Sequence, residues 1–176
     1  MKTILHVSLA VIVLTTGHEI LRADAGYSFS FSAAQKKGGG TKMQNDDESV
    51  KNQKWSYLVT MENKSFKDVS DMEIKYVMFS KQGTFTQTTG HPNLQRHEGT
   101  ISIKLLKNND TITFSTDPVM LKTIDYYDGW YADERATGAL RGLWLRVYIG
   151  GQMVSEFMDP PDLSNRATFD PPPKDN

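Results

Sequence analysis

Wherever the chain is regular, apolar and polar residues alternate with period two, and no segment shows a convincing helical period. The clearest stretch is Leu140 to Asp159, LRGLWLRVYIGGQMVSEFMD, which reads as two strands folded back at Gly150-Gly151. A paired glycine supplies the positive φ angles of a tight two-residue turn without steric cost. That turn sets Ile149 opposite Gln152, Val147 opposite Val154 and Leu145 opposite Glu156, with Trp144, Tyr148, Met153 and Phe157 on the other face. Both faces carry bulky apolar groups, so the hairpin belongs in the middle of the fold.

The same period marks further strands. Tyr27 to Ser32 alternates aromatic and hydroxyl residues, as a half-buried edge strand does. Residues 33–53 are polar, contain Gly38-Gly39-Gly40 and Asp46-Asp47-Glu48, and read as a flexible loop. Trp55 to Glu62 places Trp55, Tyr57, Val59 and Met61 on one face. Met72 to Ser80 sets Ile74, Tyr76 and Met78 against Val77 and Phe79. Thr84 to Thr88 reads as a short edge strand and Thr89 to Arg96 as a loop. Gly99 to Leu106 alternates at Ile101, Ile103 and Leu105, and Thr111 to Ser115 is its partner across Asn108-Asn109-Asp110, residues that tolerate left-handed backbone. Asp159-Pro160-Pro161 stops the last strand, and residues 160–176 read as a Pro-rich disordered tail. About seven to eight short strands at this spacing predict an all-β fold, an antiparallel immunoglobulin-like β-sandwich over residues 54–159, with a closed barrel as second choice.

The N-terminus follows another logic. Lys2 precedes the apolar run Ile4 to Thr16, too short to cross roughly 30 Å of hydrocarbon, and Ala23-Asp24-Ala25 has the small-x-small pattern of a cleavage site. Residues 1–25 are therefore expected to be a secretory signal cleaved after Ala25, leaving residues 26–53 as an edge strand and loop. The product is expected to be secreted or periplasmic, with no membrane insertion after cleavage.

With 176 residues, the chain can bury a core without covalent staples, which matters because it has no cysteine. A formal charge of −1, with Lys and Arg dispersed, gives no footprint for nucleic acid. Nucleophile chemistry has little to work with: there is no G-x-S-x-G elbow, and beyond the signal only His91 and His97 remain. These two histidines lack the spacing of a metal motif, so neither metal nor cofactor is expected.

Val119 to Gly138 is the least regular part and reads as a crossover loop long enough to be functional. It gathers Tyr126, Tyr127, Trp130 and Tyr131, large rigid residues that suit a glycan or a protein partner, or else cap the core. Asp125, Asp128, Asp133 and Glu134 lie among them, raw material for a two-carboxylate hydrolase. Trp55 and Trp144 are assigned to the core, and Arg146 to a cation–π contact between Trp144 and Tyr148. Asn63-Lys64-Ser65 and Asn109-Asp110-Thr111 fit the glycosylation pattern but are read as turns.

From Trp55 to Phe114 the pattern resembles bacterial extracytoplasmic sandwich modules of the fibronectin-III/immunoglobulin-like kind (FxLYD- and CARDB-type domains). The residues that carry this are Glu62-Asn63-Lys64-Ser65, Val69, Met72-Glu73-Ile74 running to Phe79, Lys81-Gln82-Gly83, Leu105-Leu106-Lys107 and Thr111-Ile112-Thr113-Phe114. Where such modules usually have Pro-Gly-Glu at the turn, this chain has Asn108-Asn109-Asp110. The resemblance implies a non-catalytic adhesive, binding or spacer module. The expected function is thus a structural or protein-interaction role, with a carbohydrate-binding module using Tyr126, Tyr127, Trp130 and Tyr131 as the alternative and a carboxylate hydrolase behind it.

Overall fold

A computed structural model describes residues 26–82, 94–128 and 131–171, and among them the chain is all-β. The strands are β1 (Phe29–Gln44), β2 (Glu48–Asn63), β3 (Val69–Lys81), β4 (Gln95–Leu106), β5 (Thr111–Ser115), β6 (Val119–Asp128), β7 (Tyr131–Thr137), β8 (Ala139–Ile149) and β9 (Gln152–Asp159). They form two antiparallel sheets in a sandwich-like arrangement. One sheet runs β1-β2-β6-β7 with β5 also on β2, and the other runs β4-β3-β8-β9. The core lies between them. Tyr57, Val59 and Met61 from β2 meet Ile74, Tyr76 and Met78 from β3 and Leu143, Leu145 and Val147 from β8. Across the gap, Phe31 stacks on Phe157 with ring centroids 5.4 Å apart.

The long strand β2 organises the first sheet. β1 pairs along one side of it, while β5 covers its C-terminal half and β6 its N-terminal half on the other. Thr116 bridges the break between those two, its N–H donating to the Tyr57 carbonyl and its Oγ1 accepting from the Tyr57 N–H.

Residues 33–53, expected as a loop, are instead the outer halves of β1 and β2. Every residue from Ala34 to Gln44 is exposed, so both faces of this stretch meet water and alternation cannot show. Gly38 and Gly39 absorb a register shift between Lys37 and Gly40, and a Cβ at Gly40 would overlap the Asn52 carbonyl oxygen.

The hairpin at Gly150-Gly151 is present, with φ of +57° and +80°, and Ile149 faces Gln152. The expected register holds for that rung and for the next, Tyr148 opposite Met153, and fails beyond them. Val154 is an extra residue, so Val147 faces Ser155, Arg146 faces Glu156 and Leu145 faces Phe157. The slip turns Phe157 inward onto Phe31 and sets Glu156 outward beside Arg146, which satisfies both the apolar and the charged group.

Two more expectations change. Val119 to Gly138 is no crossover loop but the hairpin β6–β7, which extends the first sheet. The segment 160–171 is no disordered tail: it lies over the outer face of the second sheet. The Asp159–Pro160 peptide is cis, a 3-10 turn spans Leu163–Asn165, and Leu163 and Phe169 pack with Val77, Phe79 and Trp144 in a second apolar cluster. Trp144 is therefore buried, but outside the sandwich core; Trp55 is half-buried against the core. The expected signal segment 1–25, the expected edge strand Thr84–Thr88 and residues 172–176 lie outside the described residues.

Candidate interaction site

The outer halves of β1, β2, β6 and β7 make a four-stranded arm, at whose end the β1–β2 turn lies beside the end of β6. That turn is built by Asn45, whose Oδ1 accepts from the N–H groups of Asp47 at 3.2 Å and Glu48 at 2.6 Å. The end of β6 is tied to it by the Tyr127 N–H, which donates to the Asp47 carbonyl at 3.0 Å. Tyr126 lies between Glu48 and Glu134 in the sheet, and a register shift separates it from Tyr127. Of the aromatic residues singled out in the sequence, Tyr126, Tyr127 and Tyr131 thus lie at the end of the arm.

The structure places them as follows. Tyr126 is 40% exposed and Tyr127 half-buried, both on β6; Tyr131 opens β7, opposite Asp128. Trp130 lies outside the described residues. On the face that carries Val119 and Leu121, Asp125 sits between Ser49 and Arg135. Its carboxylate meets Arg135 Nε at 3.1 Å and Lys51 Nζ at 3.6 Å. The two cations, themselves largely exposed, compensate the burial of this carboxylate. Asp128 ends β6, and Asp133 and Glu134 belong to β7. His97 is half-buried on β4 with Nε2 2.9 Å from Ser80 Oγ, and His91 lies outside the described residues.

On the opposite sheet, the segment 160–171 shapes a groove of about 410 Å³, lined by Lys75, Val77, Glu98, Thr100, Phe169 and Asp170 among others. Two arginines strap the segment down. Arg96 donates to the carbonyls of Thr168 and Phe169. Arg146 meets Glu156 at 2.7 Å and Asp170 at 3.1 Å, and its guanidinium lies 4.1 Å from the Phe169 ring centroid. Burial opposes its charge, yet the hydrogen bonds to Glu156 and Asp170 outweigh burial and hold Arg146 above its ordinary pKa. The expected stacking on Trp144 is present at 5.6 Å, but Tyr148 lies instead under Lys75 Nζ at 5.0 Å. The sequence carried one signal for this strap: Leu163 and Phe169 are apolar residues in an otherwise polar stretch.

At the other end of the sandwich, Asn63 is fully buried. Its Nδ2 donates to the carbonyls of Lys67, Leu106 and Lys107 and its Oδ1 accepts from the Ser65 N–H. The side chain is spent on these bonds, in accord with its reading as a turn residue.

No protein-family model and no curated protein matches the chain. Among solved structures it is similar to the crystal structure of a Bordetella pertussis protein named as ApaA, at 12% identity and a TM-score of 0.33, over 75% of this chain and 92% of that one.

Proposed function

We propose that the chain is an exported, non-catalytic immunoglobulin-like module with a protein-interaction role, and that it takes its partner at the tip of the β1–β2/β6–β7 arm. The strand orders support the immunoglobulin-like reading: β4-β3-β8-β9 corresponds to C′-C-F-G, and β1-β2-β5 to A-B-E. The observation that carries the interaction role is the arm itself. From Ala34 to Gln44 it buries no side chain, so the sandwich core gains little from that stretch, while the arm holds the β1–β2 turn and an exposed tyrosine in fixed relation.

A photo-crosslinking residue at Met43, 62% exposed on the arm, should give a discrete adduct in the producing cells, while the same residue at Phe66, 100% exposed on the β2–β3 loop, should not. Equal labelling at both positions would remove the arm as the docking site. N-terminal sequencing of the extracytoplasmic product is expected to begin at Gly26.

A carbohydrate-binding role is the second reading, favoured by the exposure of Tyr126 at the tip. It requires glycan-array binding that is lost when Tyr126 and Tyr127 are both changed to Ala.

A further inference from the structure

Among the described residues the two sheets leave four outer edges, and three of them are guarded against pairing with another chain. β1 carries Lys36, Lys37 and Lys42 and a register shift between Lys37 and Gly40. β9 is interrupted at Val154 and ends at the cis Asp159–Pro160 peptide. On the far side of the first sheet, β5 and β7 are short. Lysines, bulges, prolines and short strands are the ordinary means of blunting an edge, whose unpaired N–H and C=O groups otherwise form a template for a further strand.

The fourth edge has few of these devices. β4 pairs with β3 from Gln95 to Leu106 without a register shift, contains no proline, and has no strand on its other side among the described residues. Glu98, Thr100, Ser102 and Lys104 are exposed along its outer face, and Ile101 and Ile103 are half-buried at the rim of the core. Leu105, on the same strand, is 53% exposed.

We propose that a second copy of this chain adds its own β4 to this edge, antiparallel and in a register centred on Ile101. That register sets Glu98 of each copy opposite Lys104 of the other, Thr100 opposite Ser102, and Ile101 opposite Ile101. Opposite charges and paired hydroxyl residues directly across a sheet stabilise it, and the two isoleucines extend the inner apolar row. Glu98 already accepts from Arg96 Nε and Nη2, but both bonds use Oε1, which leaves Oε2 for the lysine of the other copy. A register centred on Thr100 would instead face Arg96 with Lys104, like charges that repel. A one-residue slip would set inner side chains opposite outer ones. The chosen register uses each edge once, so the assembly closes as a twofold dimer and does not grow into fibres.

The chain has no cysteine, so single-cysteine variants of the full chain report this register directly. Ile101→Cys is expected to form a disulfide with itself under mild oxidation. A mixture of Thr100→Cys and Ser102→Cys should give mainly the mixed disulfide. In sedimentation velocity the wild-type chain should show a reversible dimer; Lys104→Glu should weaken it about tenfold, since each dimer replaces two attractive cross-strand pairs with two repulsive ones. The exchanged variant Glu98→Lys/Lys104→Glu should restore it. Both positions are exposed, and an unchanged urea midpoint will show that the variants fold. A wild-type chain that stays monomeric into the millimolar range would overturn the proposal. So would a dimer that responds neither to the charge reversal nor to its exchange, or mixed disulfides no more abundant than those of each variant alone.

Discussion

At the scale of single residues, a fully buried asparagine and a half-buried histidine are tied to stability in different ways. Asn63 sits where the chain crosses from β2 to β3 and where β4 turns toward β5, and its one amide bonds carbonyls from both connections. Its backbone joins in: the Asn63 N–H donates to the Asp110 carbonyl, and the Asn63 carbonyl accepts from the Asn109 N–H. Asn63→Ala leaves these acceptors without a donor in a dry site and is expected to cost about 3 kcal/mol. Asn63→Asp should cost more, because an acceptor would then face three carbonyls. Urea denaturation of the two variants measures both.

His97 responds to pH. Burial holds its imidazole below the ordinary 6.5. The unfolded chain therefore binds the proton first as pH falls, so the stability linked to neutral His97 is full above about 6.5 and is lost as pH drops through and below that value. The urea midpoint should decline more between about pH 7.5 and 5.5 in the wild type than in His97→Gln. Equal declines would show that other groups carry the dependence.

At the scale of elements, alternation was legible wherever a strand has one dry face. Tyr57, Val59 and Met61, then Ile74, Tyr76 and Met78, stand in the core on the faces the sequence assigns them. It was not legible for residues 34–44, because a strand wet on both faces needs no apolar period, nor for residues 48–53, where the buried position is a serine, Ser49. Nor was the extra residue at Val154 visible. A one-residue slip leaves no trace in composition, and only the meeting of Phe157 with Phe31 and of Glu156 with Arg146 reveals its use. Asp71 offers a related case. Its φ of +51° lets Val69 and Met72, which would lie on opposite faces of a regular strand, both turn into the core. The candidate site was half legible: the tyrosines of β6 were identified, but their tie to Asp47 joins residues far apart in sequence.

The strap over the second sheet is an element whose contribution can be weighed. Phe169 inserts beside Trp144, at 5.9 Å between ring centroids and nearly edge-on, and lies against Arg146. Phe169→Ala should destabilise the fold by about 3 kcal/mol and raise binding of an apolar dye, as Val77 and Trp144 become wet. An unchanged thermal midpoint would mean that the strap rests on the sheet without supporting it.

At the scale of the whole molecule, the two sheets differ in how they finish their outer faces. The first leaves its outer face to water and projects an arm beyond the core. The second carries Val77, Phe79 and Trp144 outward and needs residues 160–171 to cover them. Arm and strap therefore lie on different sheets, and a change to one should leave the other's readout unaltered: Phe169→Ala should not abolish crosslinking at Met43 under conditions where the variant is folded.

The covering segment follows every described strand in the chain, and this has a consequence for truncated products. Without residues 160–171 the described strands are all present, yet Val77, Phe79 and Trp144 have nothing to lie against. A product cut short after Asp159 would thus keep one broad side sticky.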